Sequence, residues 1–150
     1  IELGAGCGLV GLCLASQGAL VTITDLPQLV PFIQKNIEAN NLQEFATAKP
    51  LMWGSDPYQT VDKMEYDFVI ASDCLWVEYL VESFVETLQQ LSSPSTTVLI
   101  SHEQRAKRTE TKFVELASKY FEIDQVPLVK MHSEFRNPYI SLFQLKKKPS

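Results

Sequence analysis

A glycine-rich turn directly behind an apolar strand constrains this chain more than any other feature. Glu2-Leu-Gly-Ala-Gly-Cys-Gly8 leaves only Ile1–Leu3 to form the strand that such a turn must follow. Glycine lets the backbone turn tightly and approach a ligand closely. An ordinary strand-to-helix turn does not need glycine at Gly4, Gly6 and Gly8 together. Gly6-Cys-Gly-Leu-Val-Gly11 also fits the GxGxxG string, which is weak evidence by itself. The stub strand and the missing initiator methionine predict an N-terminally truncated chain, lacking a leading segment and part of its first strand.

The pattern beyond the turn alternates strand with helix. Leu9–Gln17 reads as a short helix that stops at Gly18. Leu20–Thr24 is β-rich and ends at Asp25. Pro27 is placed to open a helix whose apolar face is Leu29, Ile33 and Ile37, with Val30 beside them. Residues 46–51, 66–72 and 97–101 read as three further strands. Leu80, Phe84, Leu88 and Leu91 mark one intervening helix face; Phe113, Leu116, Ala117 and Tyr120 mark another. The final strands, 121–126 and 139–145, have no helix between them and are expected to pair antiparallel. Alternation of this kind predicts an α/β fold with a mostly parallel sheet covered on both faces. One domain over residues 1–150 suits the length.

Composition narrows the function. The formal net charge is -5, and phosphate binding wants a basic face, so no nucleic-acid partner is expected. No apolar run reaches the ~20 residues of a membrane span. Cys7, Cys13 and Cys74 are odd in number and irregular in spacing, which suits neither a disulfide framework nor zinc. Cys7 and Cys74 read as small packing groups, the setting as reducing and cytoplasmic, and no persuasive metal site is seen, His132 and Glu134 included.

Ligands of open α/β sheets bind at the carboxyl ends of the strands, and four features fall there. The glycine turn is the first. Asp25 is the second: its carboxylate can accept from both hydroxyls of a ribose, or can cap the next helix. Trp53, before Gly54, can pack on an adenine or simply fill the core. Ser72 and Asp73 close the fourth strand; Asp73 can also serve as a helix cap. A glycine turn with an acid after the second strand admits a nicotinamide dinucleotide or S-adenosylmethionine. A pyrophosphate favours a helix N-terminus free of acids, whereas a sulfonium and an ammonium group favour nearby carboxylates. Glu2 and Asp73 therefore point to S-adenosylmethionine. None of Tyr58, Tyr66, Tyr79, Tyr120 and Tyr139 has a lysine four residues on, as a short-chain dehydrogenase would need.

Glu2-Leu-Gly-Ala-Gly-Cys-Gly-Leu-Val-Gly11, Thr24-Asp-Leu-Pro27, Asn36-Ile-x-x-Asn40, Leu51-Met-Trp-Gly54 and Ala71-Ser-Asp-Cys-Leu-Trp76 resemble the seven-β-strand protein-lysine methyltransferases, the methyltransferase-like family 16 group. Downstream, His102-Glu-Gln-Arg105, Pro127-Leu-Val-Lys130 and His132-x-Glu134 resemble its branch acting on a lysine of the AAA ATPase valosin-containing protein. The resemblance implies a class I, Rossmann-like three-layer methyltransferase sandwich. It implies Gly4, Ala5, Gly6, Asp25, Trp53 and Ser72 as cofactor contacts, joined by Glu2 on the grounds of its charge. It further implies that Asp73 takes the Asp of an Asp-x-x-Tyr motif lining a lysine channel, with Trp76 where the tyrosine usually stands. The expected reaction is methyl transfer to a lysine amine of a protein, an AAA ATPase or another chaperone-like protein. Methylation of a small nitrogen-containing molecule, or a non-catalytic truncated binding module, are the alternatives. His102, Glu103 and Arg105 are expected after the fifth strand, shaping the substrate groove or capping the next helix.

Overall fold

Apolar residues in the strands alternate between two buried faces, and helices cover both. The computed structural model describes residues 1–105 and 107–149. Its strands are β1 (Glu2–Leu3), β2 (Val21–Asp25), β3 (Ala46–Pro50), β4 (Phe68–Ser72), β5 (Thr97–Glu103), β6 (Phe121–Gln125) and β7 (Ile140–Lys147). The helices are α1 (Leu9–Ser16), α2 (Val30–Ala39), α3 (Val81–Leu91) and α4 (Lys107–Ala117). One seven-stranded sheet runs in the order β3-β2-β1-β4-β5-β7-β6. β7 is antiparallel to both of its neighbours, and the other pairings are parallel.

Register assigns the faces. Glu2 pairs with Ile23 and Ile70, whereas Leu3 pairs with Ala71, so the two sets face opposite ways. On the first face, Val21, Ile23 and Ala46 pack with Ala15 of α1 and with Ile33 and Ile37 of α2. On the second, Leu3, Val69, Ala71, Val98, Ile100, Phe143 and Leu145 join Phe84 and Leu88 of α3 and Phe113 and Ala117 of α4. The three layers thus match the expected sandwich. Chain order reverses between β1 and β4, with β2 and β3 on one side and β5 to β7 on the other. That switch point is where the crevice of an open α/β sheet opens.

Several local expectations are corrected. The second helix begins at Val30, with Pro31 rather than Pro27 in its first turn. The Leu29 N–H donates to the Leu26 carbonyl at 2.9 Å, so residues 26–29 form a turn before the helix. Asp25 does not cap α2; Leu29 is the capping residue and provides no side-chain bond. β5 runs on through His102 and Glu103 because β7 pairs with it all the way to Ile140. His102 is therefore a buried strand residue rather than part of a loop. Cys7 and Cys13 are exposed, and only Cys74 packs inside. Pro50 is tolerated because β3 lies at the sheet edge.

Candidate functional site

The site is assembled from the segments that leave β1, β2, β3 and β4 at their carboxyl ends. Gly4, Gly6 and Gly8 all have positive φ, at 61°, 59° and 85°, which explains the alternating glycines. Ala5 N–H donates to the Thr24 carbonyl at 3.0 Å, and Thr24 Oγ1 donates to the Glu2 carbonyl at 2.6 Å. These bonds lock the turn to the end of β2. A Cβ on Gly4 would stand 2.8 Å from Cys74 Sγ and 2.9 Å from Trp53 Cζ2, so that position is closed from behind. A Cβ on Gly6 would meet nothing within 4 Å, so there the backbone borders open space.

Asp25 lies beside that opening. Its Oδ2 accepts from Gly6 N–H at 2.7 Å and its Oδ1 from Leu26 N–H at 2.6 Å. Both oxygens retain lone pairs for further donors. Glu2 is placed differently. It is buried at 2% exposure, and its Oε2 accepts from Gly11 N–H at 2.8 Å inside α1. Burial pushes its carboxyl up to about 7, with the Gly11 bond opposing the shift. Glu2 thus braces the turn from beneath the helix rather than reaching the opening.

Trp53 packs on the core at one side and borders the glycine turn at the other. Its ring lies 4.8 Å, centroid to centroid, from Phe84 in the core, while its edge lies against Gly4. Gly54 N–H donates to Thr87 Oγ1 at 3.0 Å, which fixes the Trp53 loop to α3. At the end of β4, Ser72 is exposed and Asp73 has a positive φ of 56°. This unusual conformation is held by Asp73 N–H donating to the Ser101 carbonyl at 2.8 Å, and by burial of the next two residues, Cys74 and Leu75. Cys74 Sγ lies 3.4 Å from the Leu3 carbonyl, and burial, aided by Asp25 and Glu2, pushes its thiol up to about 12. It is a packing group that joins the Asp73 turn to the glycine turn. Trp76 is 66% exposed.

The sequence places Arg105 after the fifth strand but does not show that it pairs with Asp73. Arg105 Nη2 lies 2.8 Å from Asp73 Oδ2, and its Nε donates to Glu103 Oε2 at 2.8 Å. The ends of β4 and β5 are therefore bridged by charge. No spacing rule links positions 73 and 105; only the parallel pairing of the two strands brings them together. Asn36 is a second such residue, donating from Nδ2 to the Cys7 carbonyl at 2.9 Å and tying α2 to the glycine turn.

The arrangement combines an open glycine turn, a carboxylate after β2 and another after β4. Residues 1–120 match the family model described as lysine methyltransferase. The chain belongs to that family. It is 33% identical to mouse protein N-lysine methyltransferase METTL21A, over 84% of this chain and 58% of that protein. It is 36% identical to EEF1A lysine methyltransferase 3 of Xenopus tropicalis, over 81% of this chain and 54% of that protein. The cattle protein-lysine methyltransferase METTL21E is 30% identical over 99% of this chain and 50% of that protein. This family member thus spans just over half the length of the curated relatives it matches. Among solved structures it resembles a TehB-like SAM-dependent methyltransferase of Corynebacterium glutamicum, with TM-score 0.72, 18% identity, and coverage of 98% of this chain and 78% of that one. Human N-acetylserotonin methyltransferase in complex with SAM gives TM-score 0.69 at 15% identity, over 99% of this chain and 47% of that one. The fold is that of the class I methyltransferases, and the cofactor that goes with this family is S-adenosylmethionine. Among the described residues no helix is long and apolar enough to cross a membrane.

Proposed function

We propose that residues 1–150 are the S-adenosylmethionine-binding core of an enzyme that methylates a lysine of another protein. The observation that carries this reading is Asp73, held at positive φ after β4 and joined through Cys74 to the glycine turn. Gly4, Ala5 and Gly6 would line the cofactor, Asp25 would take its ribose hydroxyls, and Trp53 and Ser72 would border its adenosine. When bound, the cofactor supplies an electrophilic methyl group on sulfur.

The residues of the chain do the rest by position. A lysine amine is protonated at neutral pH, and freeing its lone pair costs ~4–5 kcal/mol from an ordinary pKa. Trp76, exposed before a substrate arrives, would wall the seated amine off from water and so lower that cost. Asp73 would orient the amine along the transfer line. Aligning two reactants accounts for large rate gains without a strong base. As a finer reading, the substrate is an AAA ATPase, supported by His102-Glu-Gln-Arg105 and Pro127-Leu-Val-Lys130. We also place the protein in the cytoplasm, since Cys7 and Cys13 are exposed free thiols of the kind a reducing compartment preserves.

The test uses the full-length protein with methyl-labelled cofactor and two substrates, valosin-containing protein and EEF1A, read by mass spectrometry. Methyllysine on neither would sink the finer substrate readings. Methyl transfer to no lysine in a whole-proteome digest of treated extract would sink the reaction itself. Asp73→Asn keeps size but loses charge; kcat should fall by about tenfold or more, with little change in cofactor affinity.

A further inference from the structure

Arg105 bridges two carboxylates from the ends of neighbouring strands. Its Nη2 lies 2.8 Å from Asp73 Oδ2 and 2.6 Å from Glu103 Oε2. On the lysine-methylation reading, on which the role of Arg105 also rests, the same Asp73 carboxylate receives the substrate amine. Its other oxygen, Oδ1, is shielded from solvent and has no hydrogen-bond partner among the described residues. The reachable face of Asp73 is thus already taken by a cation belonging to the protein.

We propose that Arg105 is an internal stand-in for the substrate lysine, closing the amine seat between Asp73 and Glu103 until a substrate displaces it. Three physical points support this. A guanidinium and an ammonium compete for the same carboxylate lone pairs and repel one another at close range, so both cannot occupy the seat. Arginine suits a stand-in because it stays charged at working pH and so holds the carboxylates through its N–H donors. The pairing is also easily opened. Side-chain exposures of 54% for Arg105, 40% for Asp73 and 47% for Glu103 leave it in reach of water, where ion pairs are weak.

The neighbouring contacts fit a strap. Arg108, in the first turn of α4, pairs with Glu78 at 3.2 Å, and Lys112 Nζ donates to the Glu78 carbonyl at 3.2 Å. The stretch from Asp73 to Glu78 is therefore pinned at both ends by cations from α4 and the residues before it. Trp76, exposed between those two pins, would be freed to close over a substrate when Arg105 leaves.

The experiment measures binding rather than turnover. Full-length protein saturated with S-adenosylhomocysteine is titrated with Nα-acetyl-lysine amide at low salt and followed by NMR. Nα-acetyl-norleucine amide, which lacks the amine, serves as the neutral control. Arg105→Ala and Arg105→Gln should bind the lysine compound about three- to tenfold more tightly than wild type, an advantage that shrinks as salt is added. Arg105→Lys, which keeps the charge, should stay near wild type. Glu103→Gln should weaken the lysine compound in the Arg105→Ala background, and the norleucine compound should be indifferent throughout. Equal or weaker lysine binding by Arg105→Ala would overturn the stand-in role while leaving the lysine reading in place. Failure of every variant and wild type to bind the lysine compound, with S-adenosylhomocysteine still bound, would remove the lysine reading and the stand-in role with it.

Discussion

Asp25 braces the glycine turn and, on the proposed reading, also takes the ribose of the cofactor. Its oxygens already accept from Gly6 and Leu26 N–H groups at 2.7 and 2.6 Å, which fixes the carboxylate before any ribose arrives. Prior fixing lowers the ordering cost of binding. Asp25→Ala removes both the fixed acceptor and the brace on Gly6. S-adenosylhomocysteine binding should weaken by about 1.5–3 kcal/mol, the range for a charge-assisted hydrogen bond. Calorimetry on the full-length protein checks this, and unchanged affinity would take Asp25 out of the ribose site. The residue is legible in the sequence because a lone acid closes a β-rich run. Arg105 is not, because its meaning lies in a partner 32 residues away that only strand pairing reveals. Glu2 is half legible: its charge is plain, but its burial beneath α1 and its bond to Gly11 depend on register. Cys7 is misleading, because its apolar-looking setting is a turn that faces water.

At the level of elements, α1 approaches β1 and β2 closely at Gly11. Gly11 sits in α1, where alanine normally stabilises a helix relative to glycine by roughly 0.5–1 kcal/mol. Here the sign should reverse. A Cβ at Gly11 would stand 2.5 Å from Glu2 Oε2 and 2.7 Å from Ile23 Cγ1, and both side chains are buried. The helix must lift or the carboxylate must surrender its bond to Gly11 N–H. Overpacking of this kind costs about 1–3 kcal/mol, which exceeds the propensity gain. Gly11→Ala should therefore lower the urea midpoint; a raised midpoint would show that α1 floats freely on the sheet. Elements such as α3 are legible because Phe84, Leu88 and Leu91 recur at helical spacing and are all buried. Boundaries are less so. Nothing local distinguishes Pro27 from Pro31 as the helix opener; the Asp25 bonds to Gly6 and Leu26 decide it. The length of β5 depends on β7, which pairs with it as far as Glu103 from the far end of the chain.

Across the whole molecule, two buried titratable groups set opposing pH dependences. Glu2, on the α1 face, has a carboxyl raised by burial from 4.5 to about 7. Its folded value lies above its unfolded one, so its contribution is fully present below pH ~4.5 and is lost as pH rises through ~7. The loss amounts to about 3 kcal/mol, the free energy of a shift of that size. His102, on the α4 face, is lowered from 6.5 by burial, against the pull of Glu110 at 3.8 Å, which is too far for a hydrogen bond. Its folded value lies below its unfolded one, so its contribution is present above pH ~6.5 and is lost as pH falls. Wild-type stability sums a falling and a rising curve over the same range, and the total conceals both. Subtracting a Glu2→Gln variant separates them, because His102 is common to the two proteins and cancels. The glutamine amide oxygen can still accept from Gly11 N–H, so the helix joint survives. The stability of Glu2→Gln relative to wild type should rise steadily from pH ~4.5 to ~7 by about 3 kcal/mol and then level off. Urea unfolding of the full-length protein at half-unit pH steps measures it. A difference that is flat across that range would mean that Glu2 titrates like a solvent-exposed carboxylate, and that it does not lie buried beneath α1.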